Sequence, residues 1–221
     1  MSATRFQGLP GVADNMVLGR FVDAGVDSLL AALSGGRVFV TPTILDPREA
    51  PPFRQQPRAE FAKGIFAAQR DLARPFHDTR VRRRTAFYGA SGSIWQPVTL
   101  SPTELALAAH FAAPATLRQA RTIQPAIRAK RIDAGEAECA AVAVTRGWVL
   151  WTDDAAIIDA LAVLHPGHPV ERISHLLVRA VRQGLIACQD AADLYNVEFV
   201  GQLGLYSRVT LHCHGERIVV R

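Results

Sequence analysis

Cysteine is scarce in this chain: Cys139, Cys188 and Cys213 are the only three, and no two form a Cys-x-x-Cys pair. An odd, scattered set signals neither a disulfide framework nor a zinc ribbon, so all three are expected to be small core residues. Long apolar runs are also missing, since no uncharged apolar stretch reaches the roughly 18 residues that span a bilayer. Met1–Phe6 opens without the apolar run of a signal peptide. These absences point to a soluble, cytoplasmic chain with no membrane contact. GxSxG, Walker-loop and HExxH patterns are absent as well, which argues against a nucleophile elbow, P-loop chemistry and a zincin helix.

What is present is an ordinary globular balance, 49% hydrophobic and 20% charged over 221 residues. That is enough for one sizeable core, and a single domain over 1–221 is the default expectation. The formal charge is +5 and is carried mostly by arginine, a side chain suited to bidentate phosphate contacts, so a polyanionic partner is in keeping with it.

Helices alternate with short apolar strands. Val26–Leu33 reads as a helix stopped by Gly35-Gly36, and Arg37–Thr41 as a buried strand. Residues 47–95 carry Pro47, Pro51, Pro52 and Pro57, then a helix over Ala59–Leu72, the Arg80–Arg84 cluster and a Gly89–Ser93 turn. This segment reads as a loop and helical elaboration within the domain. Ser101-Pro102-Thr103-Glu104 has capping-box form, and Asp133-Ala134-Gly135-Glu136 repeats that logic before an alanine-rich helix ending near Gly147. Trp148–Trp151 follows as a strand, and Asp153 or Asp154 caps a helix over Ala155–Leu164. His165–Pro169 is expected as a loop, Ser174 as the cap of a helix ending at Gly184, and Gln189–Val197 as a further helix. Within the extension 188–221, Arg208–Cys213 and Arg217–Val220 predict a β-hairpin around His214-Gly215. The expected architecture is therefore α/β, a three-layer α/β/α sandwich with a mainly parallel central sheet.

In such sheets functional groups gather at the carboxyl ends of the strands. Asp153 and Asp154 stand directly after one strand, Asp46 follows another by a turn, and Asp14 follows Gly11-Val12-Ala13. Glu136 opens its helix with Cys139, Ala140 and Ala143 on the same face, a small-residue stripe that aims it at the sheet edge, whereas Glu138 points elsewhere and is expected in solvent. Carboxylates crowded into one site repel unless a divalent cation such as Mg²⁺ or Mn²⁺ joins them. Such a cation suits phosphodiester hydrolysis by water. The plainer alternative is that Asp133, Glu136 and Asp153 only cap helices. His212 and His214 share one side of a strand, and His165 and His168 flank a Pro-Gly turn, in neither case with a complete ligand set.

The run Ile132-Asp133-Ala134-Gly135-Glu136-Ala137-Glu138-Cys139-Ala140-Ala141-Val142-Ala143, followed by Val149-Leu150-Trp151-Thr152-Asp153-Asp154, resembles the GEAE helix and strand-plus-acid pattern of a toxin-like subgroup of the PIN-domain nucleases. Ala13-Asp14-Asn15 is similar to the family's first strand end. Val38–Asp46 is similar to its second strand and following turn, with aspartate where glutamate is usual. The resemblance spans residues 11–187. It implies Asp14, Asp46, Glu136 and Asp154 as catalytic metal ligands assisted by Asp153, an RNA substrate, an antitoxin partner and a possible homodimer. Asp23, after Phe21-Val22, competes with Asp14 for the first position. Arg80, Arg82, Arg83 and Arg84 would steer the RNA backbone or simply form a solvated face. A non-catalytic RNA-binding protein and a DNA-directed nuclease are the competing expectations.

Overall fold

In a computed structural model, which describes residues 9–70, 77–129 and 131–221, five parallel strands form the central sheet. They are β1 (Gly11–Ala13), β2 (Val38–Val40), β3 (Trp95–Pro97), β4 (Val149–Trp151) and β5 (Val170–Glu171), in the order β3-β2-β1-β4-β5. Every residue of β1 and β4 is buried, the mark of strands covered on both faces. Val12 pairs with Phe39 on one side and Leu150 on the other. Gly11 is required here, because a Cβ at this position would run into the buried Trp151 ring on β4.

Helices α1 (Asn15–Ala24) and α2 (Asp27–Leu33) join β1 to β2. Gly25 closes α1 in the left-handed region at φ 77° and returns its N–H to Phe21 and Val22. The elaborated segment forms α3 (Glu60–Arg70) and α4 (His77–Gly89), and the Arg80–Arg84 cluster lies on α4. Leu72, the expected end of α3, lies outside the described residues, as do Met1–Phe6. The α5 helix (Pro102–Ala112) starts on the expected capping box, Ser101 N–H to Glu104 Oε2 at 2.7 Å and Glu104 N–H to Ser101 Oγ at 3.2 Å. It is followed by α6 (Pro114–Ile123), and α5 packs along α7 (Ala134–Arg146). On α7, Cys139, Ala140 and Ala143 are fully buried and pack on the sheet, as their spacing predicts.

After β4 come α8 (Ala155–Leu164), β5, α9 (Ile173–Arg182) and α10 (Cys188–Asp193), which runs on into a π-helical stretch, Leu194–Gln202. Ser174 is not the cap of α9: the helix begins a residue earlier, after Arg172, and Ser174 is buried in its first turn. The expected hairpin is present as β6 (Leu211–His214) and β7 (Arg217–Val220), turning at Gly215 with φ 63°. Cys188 and Cys213 form a disulfide joining α10 to β6, which corrects the expectation of three core thiols; only Cys139 is free and buried. The two cysteines lie 25 residues apart, and the chain between them runs out along α10 and the π-helical stretch and returns through residues 203–210 to β6. Among the described residues, no helix is long and apolar enough to cross a membrane.

Candidate functional site

The chain builds β1, β2 and β3 outward on one side and then returns to lay β4 against the other edge of β1. Open α/β sheets bind ligands at such a reversal, beyond the carboxyl ends of the flanking strands, here β1 and β4. Asp14 follows β1 directly and Thr152-Asp153-Asp154 follow β4. Asp14 caps α1, its Oδ1 accepting the Val17 N–H at 2.8 Å, while its Oδ2 accepts the Thr152 hydroxyl. Thr152 also accepts the Asp154 N–H at 3.0 Å, so one buried hydroxyl ties the two strand ends together. Asp154 caps α8 through Oδ1 and the Ala156 N–H at 2.6 Å. Asp153 Oδ2 accepts the Ile173 N–H at the start of α9 at 2.9 Å, and Glu136 Oε2 accepts the Asp133 N–H at 3.1 Å at the start of α7. The positive ends of four helices thus meet four carboxylates at one edge, and each helix end favours negative charge.

Those helix ends do not offset the crowding and burial. The Asp14 carboxyl is pushed up to about 7, chiefly by burial, with the Thr152 and Val17 bonds opposing and Asp153 and Asp154 adding to it. Glu136 is pushed up to about 8, again by burial first, then by the charges of Asp154 and Asp14. Burial also raises Asp153, against the pull of the Ile173 N–H, Arg172, His175 and Arg20. Asp14, remote from them in sequence, therefore lies within electrostatic reach of Glu136, Asp153 and Asp154, and Glu136 within reach of Asp154. Glu136, Asp153 and Asp154 each accept backbone N–H on one oxygen, and carboxylate oxygens of this kind are the donors that suit a hard cation such as Mg²⁺ or Mn²⁺. As the side chains stand, no group of three or more Asp, Glu, His or Cys is arranged around a metal position among the described residues.

Asp46 is not brought to this group. Its carboxylate takes the Arg48 Nη2 at 2.6 Å and Nε at 2.9 Å, which holds it below the usual carboxylate range, and its carbonyl accepts the Tyr88 hydroxyl. The chain after Asp46 is rich in proline, and the next helix starts only at Glu60. Glu60, at the start of α3, is raised by burial, lies against the Gly135 backbone and is close to Asp133 and Glu138. Glu138 is not solvated as expected: it is half-buried and accepts Thr43 Oγ1 at 2.7 Å and Thr43 N–H at 3.1 Å. Thr152 was missed by sequence reasoning; it shows itself as a hydroxyl between a strand and paired acids.

Asp23 lies near the end of α1, away from any strand end, and forms a bidentate pair with Arg84 at 2.7 and 2.8 Å. Arg83 bonds the Asp23 carbonyl, and Arg84 lies 5.3 Å over the Phe61 ring. Half of the arginine cluster therefore anchors α4 to α1 and α3. Arg82 is exposed and Arg80 half-buried. His212 and His214 are exposed on the hairpin, His212 against Thr210 Oγ1 at 2.9 Å. His165 packs edge-on against Phe111, and burial lowers the proton affinity of His168. Comparison with family models, curated proteins and solved structures matched none to this chain.

Proposed function

We propose that the protein is a PIN-type, metal-dependent endoribonuclease that hydrolyses RNA phosphodiester bonds. The observation that carries this reading is the convergence of Asp14, Glu136, Asp153 and Asp154 at the reversal of strand order, where two of them bind protons up to about 7 and about 8. Asp14, Glu136 and Asp154, with Asp153 assisting, would hold Mg²⁺ or Mn²⁺. That ion supplies activation of water and stabilisation of the charge developing on the phosphate. The chain's own contribution is positional. Thr152 fixes Asp14 relative to Asp154, and the starts of α1, α7, α8 and α9 hold the carboxylates in register. Arg20 beside Asp153 supplies positive charge next to the acids for a phosphate approaching them.

The test is cleavage of single-stranded and structured RNA with Mn²⁺ or Mg²⁺, wild type beside Glu136→Gln. Metal-dependent cleavage by the wild type alone is expected; equal cleavage by both proteins removes the reading. A DNA substrate run in parallel separates ribonuclease from deoxyribonuclease activity. A second reading, a non-catalytic RNA-binding protein, is favoured by the capping bond that each carboxylate already makes and by the lack of a ligating triad among the described residues. Calorimetric titration with Mn²⁺ separates the two, since heat of binding is expected only for a competent site. In the toxin form of the proposal the protein acts in the cytoplasm, and an antitoxin inhibits it by covering these carboxylates. Homodimerisation belongs to the same proposal.

A further inference from the structure

The Cys188–Cys213 bond lies in the wall of a groove, outside the buried cluster of the core. The groove runs between the end of α9, the start of α10 and the hairpin turn, has a volume of about 590 Å³, and is lined by both cysteines. Val181 and Ile186 supply its apolar lining, Gln189 and Glu216 its polar lining. Small-molecule pockets occupy roughly 300–1,000 Å³, so a small ligand fits the space. Cys188 is 8% exposed and Cys213 half-buried, which makes Cys213 the more open of the two. Gly215, two residues on, adds no side chain to the lining, and a Cβ there would meet nothing within 4 Å. A thiolate exchanges only with a disulfide whose sulfur it can reach, and exposed disulfides are the labile ones.

The hairpin does not depend on this bond for its place. Asn196 holds the Leu211 backbone twice, its Nδ2 donating to the carbonyl at 2.6 Å and its Oδ1 accepting the N–H at 3.0 Å. The Tyr195 hydroxyl meets Ser207 Oγ at 2.7 Å, β7 packs on α9, and Leu211 is buried. Breaking the bond between the sulfurs therefore leaves β6 seated on the π-helical stretch.

We propose that this groove is a thiol–disulfide exchange site, at which a low-molecular-weight thiol opens the Cys188–Cys213 bond in the folded protein. The incoming thiolate attacks Cys213 Sγ and bonds to it. The Cys188–Cys213 bond breaks, and its electron pair leaves on the Cys188 sulfur, which takes a proton from water. A second thiolate then attacks the sulfur of the bound reagent. Cys213 leaves as a thiolate and is protonated in turn, so the chain gains two electrons and two protons and the reagent departs as its own disulfide. In the reverse direction the Cys188 thiolate attacks Cys213 Sγ in the mixed disulfide, expels the reagent and restores the bond. None of this depends on the nuclease reading.

The experiment uses the full chain, purified in air and treated with reduced glutathione in native buffer. Samples are quenched in acid, alkylated in denaturant and mapped by mass at the Cys188 and Cys213 peptides. The rate of reduction is expected to rise linearly with glutathione and to stay constant in sub-denaturing guanidinium, because no unfolding precedes the attack. The reduced protein should keep a cooperative melting transition. Gln189→Trp, which places a larger side chain in the lining, should slow reduction about tenfold by narrowing access. Two single variants locate the attacked sulfur with oxidised glutathione as the probe. Cys188→Ser should accumulate the adduct on Cys213, since no thiol remains beside it to expel the reagent, and Cys213→Ser should gain it on Cys188 about tenfold more slowly. A rate that climbs with guanidinium, an unchanged rate in Gln189→Trp, or adducts forming equally fast on the two cysteines overturns the proposal. So does loss of the melting transition on reduction, or free thiols at both positions in the protein as purified.

Discussion

Asp14 and Glu136 hold their protons to about 7 and about 8 in the folded chain, against ordinary values of 3.8 and 4.5. Between those limits the folded state binds more protons than the unfolded one, so its stability falls as pH rises. The contribution is complete below about pH 4 and is lost as pH climbs through 7 to 8. In metal-free buffer the melting temperature is therefore expected to drop from pH 5 to pH 8.5, and the drop should be shallower in Asp14→Asn and Glu136→Gln. Adding Mn²⁺ at pH 8.5 should raise the melting temperature of the wild type and not of Glu136→Gln; a flat pH profile in the wild type would count against the crowding. These acids were legible in the sequence because each sits against a boundary that composition marks, a strand end or a helix start. Asp46 stands apart, paired with Arg48, and nothing in Leu45-Asp46-Pro47 distinguishes a turn acid from a site acid.

Several helices were readable from the residues at their starts. Ser101, Asp133 and Asp154 announced α5, α7 and α8. By contrast β3 and β5 have three and two residues, and one carries Pro97, the other Glu171, neither a strand signal. Their place is fixed by neighbours: Trp95 pairs with Val38, and Glu171 with Trp151. The same dependence on neighbours fixes Gly11. Alanine there removes the entropic cost of glycine, about 0.5–1 kcal/mol, but its methyl meets the rigid, fully buried Trp151 ring across the strand pair. Overpacking of about 1–3 kcal/mol wins, so denaturant unfolding of Gly11→Ala should show a lower midpoint with an unchanged slope.

At the scale of the whole molecule, the α/β layout and the hairpin followed from hydrophobic patterning, whereas the joining of the hairpin to the rest did not. The buried cluster runs from Val12 to Leu211, and Asn196 pairs with the Leu211 backbone at 2.6 and 3.0 Å, so packing and a covalent bond act on the same strand. Closing a loop of 25 residues by the Cys188–Cys213 bond is expected to contribute about 3 kcal/mol. Guanidinium unfolding with and without a reductant, beside a Cys188→Ala/Cys213→Ala double variant, checks this. Reduced wild type and the double variant should share one midpoint, below that of the oxidised protein.

With those two sulfurs joined, the chain keeps a single thiol, Cys139, fully buried on α7 with its sulfur 3.5 Å from the Ala13 carbonyl and 3.7 Å from Thr41 Oγ1. An alkylating reagent reaches it only when α7 lifts from β1 and β2, so the rate of labelling is an intrinsic clock for the opening of the scaffold beneath the acids, readable by mass without any engineered probe.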